Sequence, residues 1–281
     1  MPQNVIDVSQ WNGTVDWEAV KAAGYHAIIR CGFGSDYESQ DDPQWERNAS
    51  ECERLGIPYG VYIYSYAEND DMARSEAAHV LRLIAGRKLS YPIYYDVEEP
   101  GLEWCARRCA EVFGDEIEAA GHWCGVYTST SWWQNYLYGL ERFTKWVAHW
   151  GVDAPGVAGD MWQFTSNGSV PGVDGRCDVS ECYRDFPGII AGGGASPEPA
   201  PEPDVESLAL RTIAGEFGNG EDRRRALGGN YGAVQYRVNE YYAVAELVIE
   251  GAYGNGEERK RGLASAGYDY ATVQKIVNEI I

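Results

Sequence analysis

Short apolar segments rich in aromatic and β-branched residues alternate with longer amphipathic segments through the first 190 residues. The short segments predict strands and the longer ones predict helices. The candidate strands lie near residues 5–9, 26–31, 59–64, 92–97, 123–127, 145–149, 160–164 and 177–179. The candidate helices lie near residues 16–23, 43–55, 70–85, 102–120 and 129–137. This alternation, with a period of about 30 residues, indicates βαβ units with a parallel sheet.

Eight candidate strands are the number that closes a barrel resembling a TIM barrel. The helical pattern weakens after the fifth strand, so the barrel is predicted to be irregular. We therefore predict an α/β fold, an irregular parallel (β/α) barrel that comprises residues 1–190. In such barrels the active site is built from loops at the C-terminal ends of the strands.

Four carboxylates are predicted to meet at that end of the barrel. Asp7 ends the first strand, Asp96 and Glu98 end the fourth, and Asp178 belongs to the eighth. Side chains alternate along a strand, so Asp96 and Glu98 face the same way and Val97 faces the other. Like charges this close oppose joint ionisation, which makes an acid and a base from two carboxyl groups. The alternative for an isolated Asp-x-Glu is a solvated acidic turn, but structural acids have no reason to gather at one end of a barrel.

A Gly- and Pro-rich segment, residues 191–204, separates the barrel from the rest of the chain. It cannot pack a core, and its alternating prolines favour an extended, semi-rigid spacer.

The chain repeats itself after this linker. Residues 213–227 match residues 249–263 at an offset of 36. Each copy predicts a helix, a Gly-Asn-Gly turn, a second helix, another turn and a third helix. We therefore predict two small three-helix bundles, at residues 205–241 and 242–281. Two weak binding sites on one chain gain affinity for a polymer through avidity.

The charge of the chain is strongly negative and unevenly placed. The net charge is −20, and residues 1–190 carry 29 acidic against 14 basic side chains. Residues 205–281 carry 11 acidic against 9 basic side chains. A field this negative argues against nucleic acid as a partner. Ten Trp and 20 Tyr exceed the six Phe, and rings with a polar handle suit sugar stacking as well as a core.

The seven cysteines all lie in the first part of the chain, and none has the spacing of zinc ligands. We expect buried free thiols in a reducing compartment. The four histidines also lack ligand spacing, so neither a metal nor a cofactor is expected. No apolar run approaches the length of a membrane span, so no membrane insertion is expected. Met1-Pro2-Gln3-Asn4 leads straight into a strand without a signal peptide, which predicts synthesis in the cytoplasm.

Several sequence blocks follow one another in a fixed order: Ile6-Asp7-Val8-Ser9-Gln10-Trp11-Asn12-Gly13, Ile28-Ile29-Arg30-Cys31-Gly32-Phe33-Gly34, Gly60-Val61-Tyr62, Pro92-Ile93-Tyr94-Tyr95-Asp96-Val97-Glu98, Gly125-Val126-Tyr127-Thr128-Ser129, Met161-Trp162-Gln163-Phe164-Thr165 and Val173-Asp174-Gly175-Arg176-Cys177-Asp178-Val179. Through these blocks residues 4–187 resemble glycoside hydrolase family 25, the phage and bacterial lysozymes that cut peptidoglycan. The C-terminal copies resemble the short cell-wall-binding repeats of choline-independent phage lysins. That likeness lies in Gly-Asn-Gly-Glu followed by an Arg/Lys cluster, and in Ala266-Gly267-Tyr268-Asp269; the first copy departs from it at residues 228–231.

The resemblance implies cleavage of the β-1,4 bond between N-acetylmuramic acid and N-acetylglucosamine in bacterial peptidoglycan. It implies that Glu98 is the general acid and Asp96 the second catalytic carboxylate. Asp7 and Asp178 would hold the sugar or tune the pair electrostatically. Two mechanisms remain open, inversion and retention assisted by the acetamido group of the substrate, which Asp96 would orient.

Five aromatic residues are candidates for substrate contact. Tyr62, Tyr64, Tyr94 and Tyr127 lie at strand ends near the predicted site, with barrel filling as an equal alternative. Trp162 precedes a Gly/Ser loop and is a candidate sugar platform.

In the repeats, Arg223, Arg259 and Tyr268 are candidates for wall binding. Arg259 or its neighbours could bind a carboxylate of the peptide stem, and the alternative for the basic clusters of both copies is a solvated helix face.

The predicted function is that of an endolysin with two wall-binding repeats. It would be made in the host cytoplasm and would act on the wall after release. One alternative is a catalytically silent wall-binding protein, against which all four carboxylates speak. Another is a barrel glycosidase acting on chitin, which the wall-type repeats disfavour.

Overall fold

A computed structural model of the protein describes residues 2–193, 204–227 and 230–280. The described residues up to 193 form one compact unit and those from 204 onward form another. Most of the predicted linker lies outside the described residues, as do Gly228 and Gly229 in the first repeat.

The first unit contains a closed barrel, and eight strands follow one another around it in chain order within the described residues. The strands are β1 (Gln3–Val8), β2 (His26–Phe33), β3 (Tyr59–Tyr64), β4 (Ile93–Asp96), β5 (Cys124–Ser129), β6 (Thr144–Ala148), β7 (Met161–Gly168) and β8 (Cys177–Cys182). The predicted α/β barrel is therefore confirmed.

Helices surround this barrel. They are α1 (Trp17–Ala22), α2 (Trp45–Leu55), α3 (Asp70–Leu83), α4 (Ala106–Ala119), α5 (Thr130–Asn135) and α6 (Phe186–Ala191). The carboxylate of Asp16 caps α1, since it accepts hydrogen bonds from the backbone N–H groups of Glu18 and Ala19. Gly56 ends α2 in the left-handed conformation, with φ of 68°.

The eighth strand differs from the parallel arrangement that the sequence predicted. Strands β1 to β7 pair in parallel, whereas β8 runs antiparallel to both β7 and β1. The reason is the length of the connection. Only residues 169–176 join β7 to β8, and a parallel crossover needs about a dozen residues or more. The start of β8 therefore lies at the same end of the barrel as the C-terminal ends of the other strands.

Alternate residues of each strand pack into two hydrophobic layers. Ile6 and Ile29 belong to the layer between the sheet and the helices. Ile28, Trp146 and Met161 belong to the layer inside the barrel. The inner layer is mostly apolar, but it includes Ser180, whose hydroxyl accepts a hydrogen bond from the indole N–H of Trp146 at 3.0 Å.

The seven cysteines are free and buried, in agreement with the prediction of unpaired thiols. Among the described residues, none of the helices combines the length and the hydrophobicity that crossing a bilayer requires.

The second unit is helical. Its helices are α7 (Val205–Ile213), α8 (Gly220–Leu227), α9 (Tyr231–Ile249), α10 (Gly256–Ser265) and α11 (Tyr270–Ile280). The predicted third helix of the first copy and first helix of the second copy are one continuous helix, α9. No Gly or Pro interrupts residues 233–249, so the helix continues across the predicted boundary between residues 241 and 242. The first half of α9 packs in one small core with α7 and α8, and its second half packs in another with α10 and α11.

Candidate active site

A cavity of about 180 Å³ opens at the end of the barrel where β1 to β7 finish. We call it the acidic pocket. Its lining residues are Asp7, Tyr62, Tyr64, Asp96, Glu98, Tyr127, Trp146, Trp150, Gln163 and Asp178. The four carboxylates that the sequence singled out therefore line one cavity.

The topology explains how four acids distant in the sequence meet. Asp7 and Asp178 are register partners across the antiparallel β1–β8 pair. Asp96 is the last residue of β4, and Glu98 follows it in the loop to α4. Val97 between them turns away into the layer under the helices. The antiparallel direction of β8 is what brings Asp178, near the start of its strand, to this end of the barrel.

Burial raises the pKa of each of the four carboxyl groups, and the charges of neighbouring carboxylates raise it further at Asp7, Asp96 and Glu98. Burial is the largest cause at every one of them. The negative charge of Asp178 further raises the pKa of Asp7 and of Glu98. The charge of Glu98 further raises the pKa of Asp96. Since joint ionisation is disfavoured, the pocket retains protons on its carboxyls at a pH where isolated ones lose them.

The environments of Asp96 and Glu98 differ. Asp96 is 4% exposed, and its Oδ1 has no hydrogen-bond partner among the described residues. Glu98 is only partly buried, so it is the more accessible of the two from solvent. The acidic pocket therefore has one buried carboxyl group, that of Asp96, and one that solvent can reach, that of Glu98.

Gln163 organises the side of the pocket formed by β7. Its Nε2 donates to Oδ2 of Asp7 at 2.9 Å. Its Oε1 accepts from the hydroxyl of Tyr127 at 2.9 Å and from the indole N–H of Trp150 at 3.0 Å. The donated bond opposes the rise in the pKa of Asp7, because it favours the ionised form.

Two further charged groups stand beside the pocket. The hydroxyl of Tyr64 donates to Oε2 of Glu99 at 2.9 Å. Arg30 forms a largely buried ion pair with Asp42, with 2.8 Å between Nε and Oδ2. The charge of Arg30 opposes the rise in the pKa of Asp96, whereas Glu99 adds to the rise at Glu98.

The predicted aromatic contacts divide into two groups. Tyr62, Tyr64 and Tyr127 line the acidic pocket. Tyr94 and Trp162 are not brought to it. Tyr94 is fully buried inside the barrel, with its ring centroid 5.1 Å from that of Trp146. Trp162 points to the opposite face of β7 from Gln163, and its indole N–H donates to the carbonyl of His149 at 2.9 Å.

Sequence reasoning missed Gln163, Trp146 and Trp150 as lining residues. The signal for Gln163 was a polar side chain in an otherwise apolar strand segment, Met161–Phe164 by sequence. Trp146 also faces inward, opposite Met161 on the neighbouring strand, and it packs against Tyr127 with ring centroids 4.5 Å apart. Trp150 carried no comparable signal, since it lies in a loop.

In the first repeat, Arg223 is held by three hydrogen bonds. It donates to the carbonyl of Gly218 at 3.1 Å, to Asn219 Oδ1 at 3.0 Å and to Gln235 Oε1 at 2.9 Å. Arg259 makes the same set in the second repeat. Its acceptors are Gly254 O at 3.1 Å, Asn255 Oδ1 at 3.0 Å and Gln274 Oε1 at 3.2 Å. A guanidinium has five N–H donors, so two remain on each arginine beyond these bonds.

Tyr268, the third candidate in the repeats, is partly buried in the joint between α9 and the second copy. Its ring lies edge-on to Tyr241, with centroids 5.3 Å apart, and the guanidinium of Arg237 lies 4.5 Å from its centroid. In the part of the chain that the structure describes, no group of three or more His, Cys, Asp and Glu side chains could hold a metal ion.

A closed α/β barrel with carboxyl groups clustered among aromatic rings at its strand ends suits a glycoside hydrolase, because glycoside hydrolysis uses a pair of carboxyl groups. A sequence profile of Glycosyl hydrolases family 25 matches residues 6–173. That match covers more than half of the chain, which therefore belongs to this family. A profile of the CW_7 repeat matches twice more, at residues 206–241 and 242–281.

Known proteins support the same grouping. The chain is 28% identical to Lysozyme M1 of Streptomyces globisporus over 205 residues, which are 62% of this chain and 65% of that protein. It is 28% identical to the Autolytic lysozyme of Clostridium acetobutylicum over 212 residues, 73% of this chain and 63% of that protein. The chain thus spans less than two thirds of either relative. Among solved structures it is similar to the modular autolysin LytC from Streptococcus pneumoniae in complex with a synthetic peptidoglycan ligand. That likeness has 31% identity and a TM-score of 0.57, and it covers 64% of this chain and 46% of the other.

Proposed function

We propose that the protein is a peptidoglycan hydrolase, a lysozyme that cleaves the β-1,4 bond between N-acetylmuramic acid and N-acetylglucosamine. The observation that carries this proposal is the acidic pocket, where four carboxyls with raised pKa values line one cavity. Glycoside hydrolysis needs one carboxyl that still holds a proton and another that stabilises or attacks the opposite side of the sugar. The two lysozyme relatives and the peptidoglycan-bound LytC support the same substrate.

Glu98 is the general acid in this proposal. Its raised pKa keeps a proton available, and its partial exposure lets it reach the glycosidic oxygen of a bound strand. The proton passes from the carboxyl of Glu98 to that oxygen as the bond to the anomeric carbon breaks.

Asp96 is the second catalytic carboxylate. Its unpartnered Oδ1 is available to orient either a water molecule or the acetamido group of the substrate. These correspond to inversion and to substrate-assisted retention, and both leave a new reducing end on muramic acid. Asp7 and Asp178 hold the sugar and keep the pocket negative, which favours a positively charged transition state.

The experiment is mass analysis of purified peptidoglycan after digestion. We expect fragments that end in reducing N-acetylmuramic acid, and we expect Glu98→Gln to abolish them while the circular dichroism spectrum is unchanged. Reducing N-acetylglucosamine ends would assign the enzyme to another specificity. Wild-type activity in Glu98→Gln would show that Glu98 is not the general acid.

The two CW_7 repeats are proposed to bind peptidoglycan and hold the enzyme on the wall. Arg223 and Arg259 support this, because each is fixed in the same frame with two N–H donors to spare. A carboxylate of the peptide stem is a suitable acceptor, since a guanidinium binds it with two parallel hydrogen bonds. The enzyme would act on the wall after leaving the cell in which it is made.

Sedimentation with purified cell walls tests this role. The background is Glu98→Gln, so that the wall stays intact. We expect Arg223→Gln and Arg259→Gln to release protein into the supernatant, and the double variant to release more than either. The exposed neighbour Lys260 provides the control, and Lys260→Gln should bind as the parent does. Equal binding by all variants would show that these arginines are only part of the helical scaffold.

A further inference from the structure

Exposed aromatic rings are gathered at one end of the barrel. The described part of the first unit exposes eight large hydrophobic side chains. Six of them, Trp11, Tyr37, Tyr66, Trp104, Trp150 and Val152, lie in loops that follow the C-terminal ends of β1, β2, β3, β4 and β6. The other two, Tyr136 and Tyr183, follow α5 and β8 and belong elsewhere on the unit. Single exposed apolar residues scattered over a surface are ordinary, but this grouping around the acidic pocket is not scatter.

Trp11 projects from a turn that is held firmly. The residue is 80% exposed. Ser9 accepts from the backbone N–H of Trp11 at 3.3 Å, and the backbone N–H of Ser9 donates to Asn12 Oδ1 at 2.9 Å. Oδ2 of Asp42 accepts from the backbone N–H of Gln10 at 2.9 Å. The exposed ring therefore has a fixed base next to the strand that carries Asp7.

Trp104 occupies a comparable position in the loop that carries Glu98. The residue is 74% exposed. The backbone around it is ordered, because the carbonyl of Leu102 accepts from the backbone N–H groups of Cys105 at 3.2 Å and of Ala106 at 3.0 Å. Cys105 next to it is buried, so the turn is anchored to the core while the indole faces solvent.

The acidic pocket alone is small for a polymer. Its volume of about 180 Å³ is below the roughly 300–1,000 Å³ of ordinary ligand pockets. Aromatic surface continues outward from it, since Tyr64 in the pocket contacts Tyr66, with ring centroids 5.1 Å apart, and Tyr66 contacts Phe33 at 6.2 Å. Most of a bound strand must therefore lie on the surface between these loops.

We propose that Trp11 and Trp104 are sugar platforms that hold a glycan strand outside the acidic pocket, so that the enzyme favours long strands over short fragments. The proposal rests on the proposed function and specifies the substrate as a strand of several β-1,4-linked amino sugars. The apolar C–H face of a sugar ring packs on an indole, which offers a large rigid surface at low entropic cost. The −15 charge of residues 1–190 favours a ring contact with sugars over an anionic lipid surface or an acidic peptide.

Steady-state kinetics of the full chain test the platforms. We compare Trp11→Ala, Trp104→Ala and the double variant on long peptidoglycan strands and on soluble fragments of four sugars. We expect KM on long strands to rise about two- to tenfold for each ring, the size of a single aromatic contact. On fragments too short to reach the rings, kcat/KM should match that of the wild type. Both side chains are exposed, so the variants should fold normally, and Tyr183→Ala is the matched control on an exposed ring elsewhere.

The outcomes separate the two proposals. Because all variants keep both repeats, a change specific to Trp11 or Trp104 reports on the barrel. If the double variant has the wild-type KM on long strands, the platforms are overturned, and equal losses on short fragments overturn them as well. If the wild type cleaves neither substrate, the proposed function fails. The platforms are then tested by the binding of long strands to Glu98→Gln and to the same variant that also carries Trp11→Ala and Trp104→Ala. Equal binding by these two proteins overturns the platforms.

Discussion

The side-chain amide of Gln163 on β7 donates to the carboxylate of Asp7 on β1 at 2.9 Å, although β8 lies between the two strands. The bond crosses the barrel interior at the level of the acidic pocket. The same amide accepts from Tyr127 and Trp150, so one neutral group sets the geometry of an acid and of two rings. Gln163 is thus a positioning residue for the proposed reaction.

Replacing Gln163 tests that role. Gln163→Ala removes the donor to Asp7 and the acceptor for Tyr127, so kcat should fall and the free energy of unfolding should drop by about 1–3 kcal/mol, the cost of unpaired buried polar groups. Gln163→Glu keeps the acceptor but puts a carboxyl against Asp7. Its activity relative to the wild type should therefore be low at neutral pH and above. It should recover partly under acidic conditions, where the introduced carboxyl is protonated and can donate to Asp7. A pH profile that parallels the wild type would contradict the assignment.

Glu99 should contribute to the upper pH limit of the reaction. Burial, Asp178 and Glu99 raise the pKa of Glu98, in that order. Glu99→Gln removes one of these charges while keeping an oxygen for the hydroxyl of Tyr64. The pKa of Glu98 then falls, so the acid loses its proton at a lower pH. We expect the alkaline limb of the kcat/KM profile to move to lower pH, with little change in rate on the acidic side.

Tyr64→Phe is the companion measurement for Glu99. It removes the 2.9 Å hydrogen bond and leaves the charge of Glu99 in place. The rate should change, since Tyr64 lines the pocket, but the alkaline limb should not move to lower pH. If Tyr64→Phe and Glu99→Gln displace that limb equally, the hydrogen bond matters and the charge does not.

Much of this site was predictable from strand alternation alone. Asp96 and Glu98 share a face because they are two apart, and the C-terminal ends of barrel strands converge, so four acids could be placed together. Alternation also explains Tyr94, which faces inward like Asp96. It precedes Asp96 by two residues and so lies about 6–7 Å deeper along the strand, inside the barrel. The depth of a side chain inside the barrel depends on where its strand ends, and the sequence predicts that end only approximately.

Other features depended on contacts that no local pattern encodes. Trp162 and Gln163 are neighbours, so only one of them can face the pocket, and the sequence pattern favours the aromatic one. The polar side chain faces inward because Asp7, distant in sequence, supplies its partner. The direction of β8 is an exception, because the connection of residues 169–176 is too short for a parallel crossover and its length can be read from the sequence. The continuous helix α9 was missed because the repeat suggested a boundary where the chain has no helix breaker.

The acidic pocket should lower the stability of the enzyme at neutral pH. The pKa of Asp96 is raised in the folded state, chiefly by burial and by Glu98. The folded state therefore binds more protons than the unfolded state, so stability falls as pH rises from the unfolded pKa through the folded one. Asp96→Asn removes this cost. We expect the variant to be inactive but more stable at pH 7, by about 0.5–2 kcal/mol as is common for stabilising substitutions, with the gain vanishing below about pH 4.

Asp70 provides a control of opposite sign. Its hydrogen bonds to Arg108, at 3.0 and 2.5 Å, lower its pKa in the folded state. That contribution is present above the unfolded pKa and is lost as pH falls through the folded value. Asp70→Asn should thus be slightly less stable than the wild type at pH 7, and the difference should shrink in acid. Urea unfolding at several pH values measures both variants, and a loss of stability at pH 7 in Asp96→Asn would contradict the argument.

The two repeats should open together, because Arg237 on α9 ties them into one unit. Its Nε donates to Glu206 on α7 at 2.6 Å, and its Nη2 donates to the carbonyl of Gly267 in the second copy at 2.6 Å. Hydrogen exchange of the full chain tests this joint. In Arg237→Met, amide protection should fall in both copies, whereas Arg261→Met, which loses a bond only within α10, should affect that helix alone. Loss of protection confined to one copy in Arg237→Met would show that the repeats unfold independently despite the helix they share.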